Sequence, residues 1–291
     1  MNGWTSWEQL GRHRHLAGHD VFTIEVPARG QERREPLLVL HGFPSSSFDF
    51  HLVVDSMAEH RRVLLIDMVG YGLSSKPDRA YTMDLQADVV MAYTSELGVD
   101  RLALLTHDMG DTVGGELLAR QVEGRWLVEV TERVVTNGSI YIQMAHLSAG
   151  QEVLLSLPDE RLPEDAALDR RSIEASLAAT FSPRSSVPED ELAAMSAMIG
   201  QHQGHLLLPR LIRYIEERRA HEVRFTGAIE AHPSPLSIVW GADDPIALVA
   251  MAMRLHETRP DAGLEILDGV GHYPMVEAPA RFAQSVARAL G

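Results

Sequence analysis

Three short segments carry side chains that could act together on one bond. Thr106-His107-Asp108-Met109-Gly110 follows an apolar run and precedes a helix-length stretch. Small residues two places to either side of Asp108 suit a tight strand-to-helix turn that pushes the middle side chain outward. A carboxylate there is already deprotonated, so it can displace a leaving group from a saturated carbon and form an ester unaided. Trp240-Gly-Ala-Asp-Asp244-Pro and Gly271-His272-Tyr-Pro follow later, giving the chain order nucleophile, acid, base in Asp108, Asp244 and His272. Asp243 is the neighbouring alternative for the acid. Each residue also has a plain reading: Asp108 as a helix N-cap, Asp244 as the cap of a helix opened by Pro245, His272 as a core histidine. Three such coincidences at strand ends, in the right order, are far less probable than one site.

The elements that must position these residues are legible as a repeating pattern. Short apolar runs end in glycine or polar turns: Pro36–Leu40 before His41-Gly42, Arg62–Ile66 before Asp67, Leu102–Leu105 before the elbow, Arg133–Thr136 before Asn137-Gly138, and Leu236–Trp240 before Gly241. Runs without alternation are strands buried on both faces, and the helical segments between them serve as crossovers, one of which begins at the N-cap Thr82. The pattern predicts an α/β fold with a mostly parallel central sheet flanked by helices. Between residues 139 and 224 the strands lapse and prolines divide helical segments. We read 139–224 as a helical cap inserted into one core made of residues 1–138 and 225–291. A lid beyond the carboxyl ends of parallel strands encloses a pocket.

Composition narrows the chemistry. The 291 residues contain no cysteine, which excludes a thiolate nucleophile, a disulfide framework and cysteine-held metals. A surplus of 41 Asp and Glu over 26 Lys and Arg, net charge −15, argues against nucleic acid or an anionic membrane as partner. Lys76 is the only lysine. The first twenty residues lack an apolar leader core and no apolar run approaches a membrane span, so a cytoplasmic location is expected. His202 and His205 lack a third ligand, and Gly70-Tyr-Gly72 lacks the third glycine of a dinucleotide loop, so neither metal nor cofactor is expected. Asp67 reads as a support for the loop that follows it.

The chain resembles α/β-hydrolases along most of its length. His41-Gly-Phe-Pro44 matches their oxyanion-loop pattern, Asp67-Met-Val-Gly-Tyr-Gly-Leu-Ser74 matches D-x-x-G-x-G-x-S, and His107-Asp108-x-Gly110 matches the aspartate elbow of epoxide hydrolases and haloalkane dehalogenases. Leu211–His221, Arg224–Ala228 and His272-Tyr-Pro resemble the branch that contains the mesoderm-specific transcript protein. The family spacing Gly-x-x-Asp, counted from Gly241, favours Asp244 over Asp243 as the acid. The resemblance implies a two-step route in which Asp108 forms an ester and His272, oriented by Asp244, activates water against it. Backbone N–H groups of Phe43 and Met109 would hold the oxyanion.

An electrophilic saturated carbon means an epoxide or an alkyl halide. Dehalogenases commonly place Trp after the nucleophile and Asn in the oxyanion loop, where this chain has Met109 and Phe43; Trp240 or Trp126 would have to serve instead. Epoxide hydrolases supply cap tyrosines to the epoxide oxygen. Tyr214, on one helical face with Leu207 and Leu211, is the expected donor, with Tyr141 as the candidate second donor and His146 as another. The expected partners are therefore a small apolar epoxide and water. A dehalogenase and a non-catalytic binding protein are the alternatives, and the oligomeric state, a homodimer included, is left open.

Overall fold

The structure is a computed structural model that describes residues 3–291. One eight-stranded sheet runs in the order β1-β2-β4-β3-β5-β6-β7-β8. The strands are β1 Gly11–Leu16, β2 His19–Val26, β3 Leu37–Leu40, β4 Val63–Ile66, β5 Arg101–His107, β6 Glu129–Thr136, β7 Leu236–Gly241 and β8 Gly263–Leu267. From β4 across to β8 all neighbours are parallel, whereas β1 and β2 form an antiparallel hairpin whose second strand pairs antiparallel with β4. Every residue of β3 and β4 is buried, as strands covered on both faces require.

Thirteen helices surround the sheet among the described residues: α1 Gly3–Leu10, α2 Val54–Met57, α3 Met83–Glu96, α4 Met109–Val122, α5 Ala149–Ser156, α6 Arg170–Ala178, α7 Glu189–Gly200, α8 Leu208–Leu211, α9 Tyr214–Ala220, α10 Glu222–Ala231, α11 Val249–Thr258, α12 Pro274–Glu277 and α13 Pro279–Ala289. None is long and apolar enough to cross a membrane. Thr82 caps α3 by accepting from the Leu85 N–H at 3.1 Å, as its position before the apolar run predicts.

Three strands escape the apolar-run pattern. β1 and β2 lie at one edge, where β1 presents Arg12, His13, Arg14 and His15; charged edge residues discourage pairing with a second chain. β8 forms the opposite edge and is only partly buried, so it too lacks a continuous apolar run.

Helices α5 to α9 occupy the connection from β6 towards β7. Helix α10 begins at Glu222, three residues before Phe225, and packs along α4. The inserted helices bear on the carboxyl ends of the strands: Arg218 of α9 reaches the Asp108 carbonyl, and the Thr180 carbonyl after α6 accepts from the His272 N–H at 3.1 Å. Buried Arg133 closes the connection from below, donating to Ser234 Oγ and to the carbonyls of Ile229 and His232 at 2.7–2.9 Å. Burial lowers its pKa to about 9, with Arg259 nearby acting in the same direction.

Close approach of α4 to β3 sets the position of the elbow. A Cβ on Gly110 would lie 2.4 Å from the Leu40 carbonyl oxygen, which is backbone and cannot swing aside. Gly110→Ala is expected to cost about 1–3 kcal/mol by overpacking. Urea denaturation against Gly227→Ala, whose Cβ meets nothing within 4 Å, measures that difference; equal losses would contradict it.

Candidate active site

Asp108 stands between β5 and α4 with φ 49° and ψ −112°, a left-handed conformation unusual for a residue with a side chain. Such strain persists where the surroundings impose it. The Phe43 N–H donates to Asp108 Oδ2 at 2.9 Å. Met109 is the first residue of α4, so its N–H has no intrahelical acceptor and adds to the positive end of the helix. Oδ1 of Asp108 accepts from no group among the described residues. One carboxylate oxygen is therefore held by a backbone donor and the other is free.

The loop that supplies Phe43 is built around two small facts. A Cβ on Gly42 would sit 2.7 Å from Asp108 Cβ and 2.9 Å from Oδ2, so only glycine lets the loop close on the carboxylate. His41 Nε2 accepts from the Met68 N–H at 3.0 Å, which leaves Nδ1–H to donate to the Gly42 carbonyl at 2.8 Å. Asp67 holds the other side: Oδ1 accepts from the N–H and hydroxyl of Ser47, and Oδ2 from the Leu73 N–H, at 2.6–2.8 Å. That is the loop support expected of Asp67.

The expected acid and base lie together. Asp244 Oδ2 accepts from His272 Nδ1–H at 2.8 Å, and both residues are buried. Asp244 Oδ1 accepts from the N–H groups of Ile246 and Ala247 at 2.8 and 2.9 Å. Asp243 is engaged elsewhere, by Ser182 Oγ and by two nitrogens of Arg184. Burial by itself drives His272 towards the neutral form, but the Asp244 carboxylate and its hydrogen bond reverse this. With the Asp108 and Glu277 charges added, the imidazole pKa rises to about 9.

Four supports lie outside the motifs that sequence reasoning singled out as chemical. Asn137 cannot be an acid, yet its Nδ2 donates to Asp244 Oδ2 at 2.8 Å while its Oδ1 accepts from the Gly241 N–H. Glu277 accepts from the N–H groups of Gly271, Tyr273 and Ser182 at 2.8–3.0 Å, shaping the turn that carries His272. Arg218, buried in α9, donates to Thr112 Oγ1, the Ser139 carbonyl and, at 3.4 Å, the Asp108 carbonyl. Asp49 accepts from Ser45 Oγ; its Oδ1 has no partner, and burial raises its pKa to about 8, with Asp67 and Asp108 contributing. The i,i+5 spacing of Glu277 from His272 and the i,i+4 spacing of Asp49 from Ser45 are local; Asn137 and Arg218 act across long sequence separations.

Among the expected donors, Tyr214 faces the site. It is 1% exposed, its ring centroid is 5.7 Å from that of Phe43, and its hydroxyl donates to no group among the described residues. Burial, with the Asp108 charge adding, keeps the phenol protonated. Tyr141 does not serve as the second donor. Its hydroxyl is committed to Glu230 Oε1 at 2.7 Å and its ring lies under Arg254, because α10 and α11 supply those partners. His146 is exposed. The indole N–H groups of Trp240 and Trp126 are spent on the Ala247 carbonyl and Thr94 Oγ1. Among the described residues no cluster of His, Asp and Glu suits a metal ion.

A cavity adjoins His272, Phe43 and Tyr273 and is walled by Leu154, Leu168, Ile173, Leu177, Leu208 and Ile246. The geometry predicts an imidazole titration for His272 with a midpoint near 9 by NMR. Asp244→Asn removes the main opposing charge, so the midpoint should fall below that of the wild type; an unchanged midpoint would show that Asp244 does not control the base.

Comparison with known proteins agrees with this architecture. A model of the alpha/beta hydrolase family matches residues 37–285. The Mycobacterium tuberculosis protein named "Putative hydrolase LipZ" is 36% identical over 281 residues, covering 96% of this chain and 95% of that protein. The mesoderm-specific transcript protein of Mus musculus is 31% identical over 290 residues, covering 95% and 84%. Among solved structures, the meta-cleavage product hydrolase CumD superposes with a TM-score of 0.75 at 18% identity over 96% of this chain and 97% of that one, a likeness of fold. By matched model, by relatives over nearly its whole length and by fold, the chain belongs to the alpha/beta hydrolase family.

Proposed function

We propose that the protein is an epoxide hydrolase that forms a vicinal diol through an ester on Asp108. The observation that carries this reading is the elbow itself: a carboxylate, not a hydroxyl, with Oδ2 held by Phe43 N–H and Oδ1 free. Oδ1 attacks a ring carbon, the carbon–oxygen bond of the epoxide opens, and the new alkoxide takes a proton from Tyr214, whose phenolate recovers a proton from solvent. Loss of the Asp108 charge removes one of the causes that raise the His272 pKa. The imidazole therefore gives up its proton more readily once the ester has formed, when a base is needed.

Neutral His272 then takes a proton from water, and the hydroxide attacks the Asp108 carboxyl carbon. The tetrahedral oxyanion develops on Oδ2, where the Phe43 and Met109 N–H groups stabilise it. Collapse breaks the bond to the alkyl oxygen, His272 returns the proton to the departing diol, and the Asp108 carboxylic acid reionises, releasing its proton to solvent. No metal or cofactor enters these steps. The apolar walls of the cavity favour a substrate with a hydrocarbon substituent.

A halide leaving group finds less support, since both tryptophan N–H groups that could receive it are engaged. The test is a His272→Gln variant exposed to styrene oxide, an aliphatic epoxide and a bromoalkane, followed by peptide mass spectrometry. An epoxide adduct should accumulate on Asp108 and persist. Tyr214→Phe should slow adduct formation by on the order of 100-fold with the epoxides. Wild-type turnover of an epoxide with no adduct in the variant would defeat the covalent route, and adducts with the bromoalkane alone would favour dehalogenation.

A further inference from the structure

The polar side chains that line the main cavity differ in whether their hydrogens are already used. The Ser176 hydroxyl donates to the Ser172 carbonyl at 2.9 Å and the Thr180 hydroxyl to the Leu177 carbonyl at 2.7 Å. Tyr273 donates towards the Phe43 carbonyl at 3.4 Å. The Ser148 hydroxyl, which accepts from the Gln151 backbone N–H, and the Gln151 amide donate to no group among the described residues; of the two, Gln151 is the one whose donor direction is fixed. It is 8% exposed and stands in the first turn of α5, where it closes a capping box with Ser148.

That box decides how the amide is turned. The Ser148 N–H donates to the Gln151 side chain at 2.9 Å, and a backbone N–H can be received only by the carbonyl oxygen, so the oxygen is Oε1 and the other atom is the NH₂. The Gln151 Nε2 group donates to no group among the described residues, although the residue is buried. Gln151 lines the cavity that contains His272 and Phe43, and also the smaller one beside it that Tyr214 lines, so it stands where the two meet. The amide N–H groups therefore open into the cavity with a fixed direction and no acceptor from the protein, and are available to a ligand that supplies one.

We propose that Gln151 is a catalytic residue whose amide N–H donates the second hydrogen bond to the leaving oxygen, beside Tyr214. This assignment rests on the epoxide reading. It gives Gln151 two separable roles, a structural one through Oε1 at the start of α5 and a chemical one through Nε2. As the ring opens, negative charge gathers on the oxygen, and a donor held in place by the capping box strengthens its bond without reorganising.

Gln151→Glu keeps the capping acceptor and removes the donor, while Gln151→Met removes both without adding charge. Each is combined with His272→Gln, and the rate of styrene oxide addition to Asp108 is followed by quenched-flow mass spectrometry at increasing epoxide concentration. The maximal rate should fall by at least about tenfold in both double variants, and melting of the Glu variant should match that of its parent. Hydrolysis of the preformed ester, measured with His272 intact, should change by less than about twofold because the leaving oxygen is already protonated. An unchanged maximal rate in either double variant, or a change confined to the half-saturating concentration, would overturn the assignment while leaving the ester mechanism standing. Absence of any adduct in the His272→Gln parent would overturn both.

Discussion

The short contact between the Phe43 N–H and Asp108 Oδ2 is the constraint around which the rest of the molecule is arranged. It requires the elbow to hold a left-handed backbone, and the oxyanion loop to approach a carboxylate more closely than any side chain at position 42 would allow. It therefore fixes Gly42, the His41 bridge to Met68 and the Asp67 anchor on the far side of the loop. Beneath it, Gly110 brings α4 against β3, and the helix begins at the residue after Asp108. On the proposed route, Oδ2 already rests on the donor that would hold the later oxyanion.

Charge links the two halves of the proposed reaction. Asp108, Asp244 and Glu277 all favour protonated His272, and only Asp108 changes charge on forming an ester. On the proposed route the site would thereby convert a covalent event at one carboxylate into a change of proton affinity at the imidazole. The inserted helices share in this arrangement: Arg218 bonds the elbow carbonyl, while the segment after α6 bonds both His272 and the Asp243 that precedes the acid.

Apolar runs made the central strands legible, and residue order made Asp108, Asp244 and His272 legible, because both are local signals. The edge strands were not, since β1 alternates charged residues and β8 is half exposed. Tyr141 shows the limit most clearly. Its type suited a donor, but the direction of its side chain is set by Glu230 and Arg254, which lie roughly a hundred residues away on α10 and α11. Asn137 illustrates the converse: an amide that cannot be the acid is nevertheless its hydrogen-bond donor across 107 positions. Gln151 was hidden for a third reason, because its sequence context advertises a capping box and its free N–H emerges only from the cavity geometry.

The central claim is that an oxygen atom of Asp108 becomes an oxygen atom of the product. A single turnover with enzyme in excess over styrene oxide, run in water enriched in heavy oxygen, tests it directly. The account predicts that the first diol carries no heavy oxygen and that the peptide containing Asp108 gains one heavy oxygen atom. Heavy oxygen in the first diol, with the Asp108 peptide unlabelled, would mean that water attacks the epoxide directly and that Asp108 is not the nucleophile.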